Sequence, residues 1–256
     1  MGFVFLDRYD VSACAEQCNT RGADPKGGAC QYFNIWRALV KGVPTTYTCS
    51  MVCKIPSTST YRYSSSFQYF IVADESTAVN TGQGDLAVTF SRGYQRTNFV
   101  IDGGFEGYDA CNAVCFTESY TNWIGTSSIG GSLDATIFFY APYAHSGHGV
   151  GLLGSGNAAD SFPGTLTPAR PLQTVAGQNY VITFFQASAY SSPALEAPAF
   201  LDILWNDNIV STIHPGFSNW EYISFNVVGA GNDVLAFHGG AAPAWTFIDD
   251  IAVFQI

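Results

Sequence analysis

Hydrophobic and polar residues alternate along most of this chain, in short runs separated by Gly, Pro, Asn, Asp and Ser. An alternation with a period of two residues is typical of β-strands that bury one face. The clearest runs cover residues 30–36, 45–52, 135–140, 180–187, 199–205, 220–228, 234–238 and 246–254. Trp205 is followed by Asn206-Asp207-Asn208, which predicts a tight hairpin. The pattern therefore predicts a mostly β chain.

The best helix candidate covers residues 10–18, Asp-Val-Ser-Ala-Cys-Ala-Glu-Gln-Cys. Asp10 or Ser12 can cap its start, because a short polar side chain accepts the unpaired amide hydrogens of the first turn. Cys14 and Cys18 then lie one turn apart on the same helix face. We expect disulfides from this face to tie the helix to two antiparallel strands.

The chain divides into two segments of different character. Residues 1–96 contain the helix candidate and five of the seven cysteines, and predict a small disulfide-stapled α+β module. Residues 97–256 contain most of the alternating runs, and predict an antiparallel β-sandwich. A length of 256 residues is sufficient for two such domains.

Charge is scarce and uneven. Only 12% of the residues are charged, and from Asn98 to the end Arg170 is the single Lys or Arg beside thirteen carboxylates. A nucleic acid partner is excluded, because binding to phosphates requires Lys and Arg. An anionic membrane surface is excluded for the same reason, and no apolar run reaches the ~20 residues of a membrane helix. The acidity indicates either a role in solubility or cation binding.

The cysteines indicate disulfides and therefore a secreted, extracellular protein. Five of them are crowded into residues 14–53, in a module too small to bury a large core. Zinc is the alternative, but Cys30 stands alone and the nearest histidine, His145, is distant in sequence. Cys111 and Cys115 predict a local disulfide, since a redox pair usually has two intervening residues. Seven is an odd number, so one thiol stays unpaired.

The first segment resembles PAN/apple domains. The shared features are a helix with Cys14-x₃-Cys18, a central strand with Cys30-x-x-Phe33, and a later strand with Cys49. The resemblance implies the pairs Cys18–Cys30 and Cys14–Cys49, and it implies binding to proteins or sugars. The third bridge of that family has no counterpart at the start of this chain, and this leaves Cys53 without an assigned partner.

The second segment resembles the jelly-roll carbohydrate-binding modules and related galactose-binding-like folds. Five landmarks occur in the order of that family: residues 102–106 (Asp-Gly-Gly-Phe-Glu) with Trp123 after them, 176–184, 204–206, 220–222 and 247–251. The resemblance implies that the opening and closing strands lie side by side. The combination of both segments also resembles a group of secreted proteins from mushroom fruiting bodies.

The second resemblance also implies a structural calcium ion between the first and last strands. Calcium prefers six to eight oxygen ligands. The implied ligands are Glu106 and Asp250, assisted by backbone oxygens near Gly103. Asp249 is adjacent to Asp250, and neighbouring residues of a strand point to opposite faces, so one of the two carboxylates is expected to bind.

Several aromatic residues are candidates for stacking on sugar rings. Tyr140 and Tyr143 flank Pro142 at a strand end, and Trp245 follows Ala242-Pro243-Ala244 in a predicted loop. Trp123 and Trp220 are further candidates, although most aromatic residues of a sandwich belong to the core. A small bound pigment is a second interpretation of this aromatic richness.

Two other sites receive weaker support. His145 and His148 lie in a Gly-rich loop and could bind a transition metal, but the sequence places no carboxylate or cysteine beside them. Glu118, Asp134, Glu196 and Asp202 could form the acid pair of a glycoside hydrolase, a pairing that only the fold decides. No serine-hydrolase, metalloprotease or phosphate-binding motif occurs.

The leading hypothesis is a secreted, non-catalytic, lectin-like protein. Its sandwich would bind a glycan, and its PAN-like module would provide a second binding surface for a protein partner. The alternatives are a carrier of a small aromatic or apolar ligand such as a pigment, a storage or structural protein, and a glycoside or ester hydrolase.

Overall fold

The computed structural model describes residues 2–53, 62–65, 68–71, 86–240 and 244–256. Two compact units are present, residues 1–97 and 98–256. The division lies one residue beyond the boundary expected from the sequence. None of the helices within the described residues is long and apolar enough to cross a membrane.

Within its described residues, the N-terminal unit has one helix, α1 (Val11–Thr20), and one antiparallel sheet in the order β1-β3-β2-β6-β5-β4. Asp10 caps the helix, since its Oδ1 atom accepts the amide hydrogen of Ala13 at 2.9 Å. The strands are β1 (Gly2–Leu6), β2 (Tyr32–Val40), β3 (Val43–Val52), β4 (Arg62–Ser65), β5 (Gln68–Ile71) and β6 (Leu86–Gln95).

Disulfides hold the helix on this sheet. Cys14 is bonded to Cys49 of β3, and Cys18 is bonded to Cys30, just before β2. These are the pairs that the PAN/apple resemblance implies. The four cysteines form a small core with Phe33, Ile35 and Met51. All seven cysteines are described, and Cys53 is the one outside a disulfide, because Cys111 is bonded to Cys115.

The C-terminal unit consists of two antiparallel sheets, as the alternation predicts. The six-stranded sheet has the order β15-β12-β17-β10-β9-β7, and the five-stranded sheet has the order β14-β13-β16-β11-β8. A short helix, α2 (Pro193–Glu196), precedes β13. The strands are β7 (Cys115–Thr117), β8 (Trp123–Ser127), β9 (Ala135–Phe139), β10 (Gly149–Leu153), β11 (Gly164–Pro168), β12 (Asn179–Ala187), β13 (Leu201–Trp205), β14 (Asn208–Ile213), β15 (Glu221–Val228), β16 (Leu235–Gly239) and β17 (Thr246–Gln255).

One hydrophobic core lies between the two sheets. The six-stranded sheet contributes Ile182 and Ile248, and the five-stranded sheet contributes Ile203 and Phe237, all fully buried. Such a core, filled from the inner faces of both sheets, is the defining feature of a β-sandwich. The predicted hairpin is present as well, because Asn206 and Asp207 have φ values of 52° and 61° between β13 and β14.

The predicted opening strand at residues 102–106 is wrong. Asp102 and Phe105 adopt left-handed backbone conformations, with φ values of 56° and 59°, and the amide of Phe105 donates to Asp102 O at 3.1 Å. This segment therefore forms turns. It still lies beside the last strand, as expected, because the amide of Ile251 in β17 donates to the carbonyl of Gly103 at 2.9 Å.

Candidate binding site

The six-stranded sheet carries a second hydrophobic cluster on the face that points away from the sandwich core. Phe138 pairs with Val150, and Leu152 pairs with Phe247, so these four side chains share one face. Ile137, one residue from Phe138, points to the opposite face and belongs to the core. The four residues form a buried cluster of their own.

Four partly exposed aromatic side chains cover this cluster and are termed the aromatic face: Tyr143, Tyr190, Trp220 and Trp245. The Tyr143 ring lies 4.9 Å from the Tyr190 ring, centroid to centroid, and 5.1 Å from the Phe247 ring. Tyr190 in turn lies 4.6 Å from Phe247. The aromatic face therefore rests on a hydrophobic layer while part of each ring stays accessible.

Hydrogen bonds fix the polar ends of two of these rings. Trp245 donates from Nε1 to the carbonyl of Ser155 at 2.9 Å, and its backbone amide donates to Glu196 Oε1 at 3.1 Å. Glu196 is fully buried, and this burial raises the pKa of its carboxyl group. The hydroxyl of Tyr190 donates to the carbonyl of Pro142 at 3.2 Å. These bonds hold the rings in set orientations without occupying their faces.

Trp220 is connected to the loop at residues 144–149 through His145. The His145 ring stacks on Phe185, with centroids 3.7 Å apart and planes 15° apart, and lies 5.4 Å from the Trp220 ring. Its Nδ1 atom is 2.6 Å from Oδ2 of Asp250. The position of Trp220 therefore depends on contacts with a loop that carboxylates hold in place.

The structure brings together three of the five aromatic residues proposed from the sequence, namely Tyr143, Trp220 and Trp245. Tyr140 lies beside them, because its ring meets that of Tyr143 edge-on at 4.8 Å. The residues before Trp245 at 241–243 lie outside the described part. Whether these side chains bind a ligand stays a prediction.

The expectation that Trp123 stacks on a sugar is wrong, because its side chain is fully buried. Its strand, β8, directs the ring into the core, 4.8 Å from the Phe105 ring, and Nε1 donates to the carbonyl of Asp102 at 2.9 Å. A ring enclosed in this way offers no face to a sugar.

Sequence reasoning missed Tyr190. It lies after β12 in the polar segment Tyr190-Ser191-Ser192-Pro193. This context resembles that of Tyr143, an aromatic residue in a turn rich in small and polar residues. An aromatic side chain that interrupts a polar loop was therefore the available signal, while its proximity to Phe247 depends on the fold.

The proposed metal ligands are clustered, and donors from one loop occupy their carboxylates. Glu106 Oε1 accepts the amide hydrogens of His148 and Gly149 at 2.7 and 2.9 Å. Asp249 Oδ2 accepts those of His145 and Ser146 at 2.8 and 3.1 Å. Burial, and then the charge of neighbouring Asp250, raise the pKa of Asp249 well above its ordinary value. These carboxylates hold the loop at residues 144–149 against β17.

The expectation that Asp249 and Asp250 point to opposite faces is wrong. Asp250 has a φ of 50°, and the pairing of β17 with β12 is irregular at this point. Such a bulge turns a side chain away from the regular alternation. Asp250 Oδ1 consequently accepts from the Ser146 hydroxyl at 2.7 Å, so both carboxylates bond to the same loop.

The arrangement does not form an oxygen cage. The carboxylate oxygens face N–H and O–H donors, and the carbonyl of Gly103 accepts the amide hydrogen of Ile251 at 2.9 Å. In the described part of the chain, no group of three or more His, Cys, Asp or Glu side chains is placed to hold a metal ion. As arranged, these residues hold the loop at residues 144–149 by hydrogen bonds, and calcium stays a prediction.

The two histidines of the same loop have separate surroundings. His145 bonds to Asp250, whereas the His148 ring stacks on Phe139 with centroids 5.3 Å apart. His148 Nδ1 lies 3.7 Å from Oε2 of Glu106. The transition-metal interpretation gains no support from this geometry.

No protein-family model matches the chain, and no curated protein matches it in sequence. Several solved structures have a similar backbone over part of the chain. One is TmCBM61 in complex with β-1,4-galactotriose, which is 16% identical and has a TM-score of 0.42. The similarity covers 62% of this chain and 99% of TmCBM61.

A second similar structure is that of a CBM4 module, which is 16% identical and has a TM-score of 0.36. The similarity covers 61% of this chain and 99% of that module. A third is the CBM22-1 xylan-binding domain of Xyn10C from Paenibacillus barcinonensis, which is 12% identical and has a TM-score of 0.37. The similarity covers 63% of this chain and 96% of that domain. Similarity at this level does not identify a ligand for this chain.

Proposed function

We propose that the C-terminal unit is a non-catalytic glycan-binding domain and that it binds a sugar chain on the aromatic face. The observation that carries this proposal is the grouping of Tyr143, Tyr190, Trp220 and Trp245 over a hydrophobic layer outside the sandwich core. A partly exposed aromatic group with no role in the main core is a typical recognition surface.

The chemistry of the surface suits carbohydrate. The C–H faces of a sugar ring pack on aromatic rings, and sugar hydroxyls bond to polar neighbours. Asn219 and Glu221, the sequence neighbours of Trp220, are exposed polar residues. Rings that are fixed before binding lose little conformational freedom when the ligand arrives, and the bonds of Trp245 and Tyr190 provide such fixation.

Positions of the carboxylates support a non-catalytic role. Glycoside hydrolysis requires two acids about 5–9 Å apart across an open site. Among the described residues, Asp134 and Glu196 are fully buried. Asp202 accepts from the Thr212 hydroxyl at 2.6 Å on the five-stranded sheet, and Glu118 accepts from Ser127 and Leu133 at 3.4 and 3.3 Å. Asp134 and Glu196 are therefore out of reach of a substrate, and Asp202 and Glu118 bond to neighbouring residues of their own unit.

We also propose that the protein is secreted and that its N-terminal unit provides a second binding surface. Three disulfides support an oxidising compartment. The side chains of Phe3 and Phe5 on the edge strand β1 are 63% and 67% exposed, and their rings are 5.5 Å apart. If this surface is separate, the double change of Phe3 and Phe5 to Ser leaves glycan binding by the C-terminal unit unchanged.

A glycan array with the full chain tests the main proposal, followed by titration of the best glycan. Trp220→Ala and Trp245→Ala are each expected to weaken binding roughly tenfold or more, which equals about 1.4 kcal/mol. Phe162→Ala is the matched control. Phe162 is an exposed aromatic residue of the same unit, and within the described residues no ring contact joins it to the aromatic face. The affinity of Phe162→Ala for the glycan is expected to equal that of the wild type.

The outcomes separate the competing functions. Binding that survives both tryptophan substitutions would remove the aromatic face as the glycan site. An array without any signal, together with absorbance in the visible range, would support the pigment carrier instead. The lack of both an array signal and visible absorbance would favour a storage or structural protein.

A further inference from the structure

A pocket of about 410 Å³ lies in the C-terminal unit, away from the aromatic face. Its lining comes from three short segments at residues 99–101, 121–122 and 168–173. The segments meet where β8 begins and β11 ends, and the amide of Ala169 donates to the carbonyl of Asn122 at 2.8 Å to join them. The volume is within the ~300–1,000 Å³ range of small-molecule sites.

The walls of the pocket are mainly apolar and are held from behind. Phe99, Ile101, Pro168 and Leu172 are among the lining residues. The Phe99 ring packs edge-on against Tyr180 of the core, with centroids 5.2 Å apart. Ile101 is 61% exposed and presents an uncovered apolar side chain at this site. An apolar body therefore has surface to bury here.

The polar wall is also fixed. Asn122 donates from Nδ2 to Oδ2 of Asp102 at 3.1 Å, and the same oxygen accepts from the hydroxyl of Tyr120 at 2.6 Å and the amide of Gly107 at 2.8 Å. Three donors on one carboxylate oxygen hold this side of the pocket in place. The cavity is thus largely formed before any ligand arrives.

Arg170 gives the pocket its charge. It is the only Lys or Arg among residues 98–256, which contain thirteen carboxylates. It lines the pocket and is exposed. In the described parts of the chain, no hydrogen bond or ion pair joins Arg170 to another residue. A guanidinium group without a protein partner is well suited to a ligand carboxylate, which it can bind through two parallel hydrogen bonds.

We propose that this pocket binds a small monocarboxylate with an aromatic or other apolar body. One cation matches one negative charge, and the excess of carboxylates in the unit repels ligands that carry several. The apolar walls accept the body of the ligand. The site is distinct from the proposed glycan site, because no residue of the aromatic face lines it.

Titration of the full chain with phenylacetate and benzoate, followed by calorimetry or by NMR chemical shifts, tests the proposal. We expect saturable binding of at least one of these two acids. Phenylacetamide and benzamide keep the ring without the charge, and acetate keeps the charge without the ring. Each of these three probes is expected to bind at least tenfold more weakly than the better acid.

Arg170→Gln is expected to weaken binding of the acid at least tenfold and to remove the preference for the acid over its amide. This variant should fold normally, because Arg170 is exposed and the substitution removes no hydrogen bond or ion pair within the described residues. Arg8→Gln is the matched control, since Arg8 is an exposed arginine of the N-terminal unit with only an exposed ion pair to Asp10. Ala169→Phe places a ring against the pocket wall and is expected to weaken binding without removing charge.

Three results would overturn the proposal. They are equal affinity for an acid and its amide, an unchanged affinity in Arg170→Gln, and the lack of saturable binding for both acids. None of them depends on the glycan array, so the failure of this pocket and the failure of the aromatic face are distinguishable.

Discussion

The backbone amide of Ile251 donates a hydrogen bond to the carbonyl oxygen of Gly103 at 2.9 Å. This bond ties the first turns of the C-terminal unit to its last strand, β17. Asn98 extends the contact, because its Oδ1 atom accepts the amide hydrogen of Val253 at 2.9 Å. The ends of the unit are thereby closed on each other, and the backbone at Gly103 lies directly against that of Ile251.

The first prediction compares two neighbouring glycines. A Cβ atom at Gly103 would lie 1.8 Å from the carbonyl oxygen of Ile251, whereas at Gly104 the nearest atom, Oδ1 of Asp249, would be 3.7 Å away. Gly103→Ala is therefore expected to lower the free energy of unfolding by about 1–3 kcal/mol, the usual cost of overpacking. Gly104→Ala should stay within about 0.5 kcal/mol of the wild type. Urea unfolding measures both, and equal effects would contradict the contact described.

The second prediction concerns Asp233, which is fully buried. Burial alone would raise the pKa of its carboxyl, but hydrogen bonds from Asn206, Thr174 and the amides of Ala230 and Gly231 outweigh it and hold the pKa below its ordinary value. Asp233→Asn turns an amide toward these donors. The expected cost at neutral pH is about 1–3 kcal/mol.

The pH dependence of this cost follows from the lowered pKa. The carboxylate of Asp233 stabilises the fold above its unfolded pKa, and this contribution is lost as the pH falls through the folded value. The gap between wild type and Asp233→Asn should therefore narrow in acid, as measured by urea unfolding at neutral and acidic pH. Asp207→Asn in the exposed hairpin turn is the control and should show a small, constant difference.

The strands were predictable because their signal is local. A period of two residues needs no knowledge of the partner strand, and the run at residues 246–254 corresponds closely to β17 (Thr246–Gln255). The helix followed in the same way from Asp10 and the spacing of Cys14 and Cys18. The hairpin after Trp205 was predictable from three consecutive turn-forming residues.

The remainder depends on tertiary contacts. Residues 102–106 form turns because Gly103 packs on Ile251, a contact between residues far apart in sequence. The bulge at Asp250 breaks the alternation that placed it opposite Asp249. The sequence around Trp123 and Trp220 does not show which of them is buried, yet Trp123 is enclosed by the core and Trp220 lies on the outer face. Only the assembled sheets decide which face each residue occupies.

The third prediction concerns the disulfide between Cys14 and Cys49, which are 35 residues apart. Replacing both by Ser is expected to destabilise the N-terminal unit by about 2–5 kcal/mol, because the unfolded chain gains freedom and the module has little other core. Cys53→Ser is the control and should leave stability unchanged. Denatured wild-type protein should react with one equivalent of a thiol reagent, and Cys53→Ser with none. More than one reactive thiol would contradict the disulfide assignment.

The fourth prediction uses Asp134, whose side chain is fully buried. Burial, and then the neighbouring carboxyl of Asp160, raise the pKa of Asp134 to about 6. A carboxyl whose pKa is raised by folding favours the protonated form, so stability is lost as the pH rises from the unfolded pKa of about 4 through the folded value.

The variant Asp134→Asn lacks this titration. Its stability relative to the wild type is therefore expected to increase by about 1–3 kcal/mol between pH 4 and pH 7. Melting temperatures across this range measure the difference, again with Asp207→Asn as the control. A difference between Asp134→Asn and wild type that stays constant with pH would mean that Asp134 is ionised as easily in the folded protein as in the unfolded chain, and that the burial of its carboxyl has no electrostatic cost.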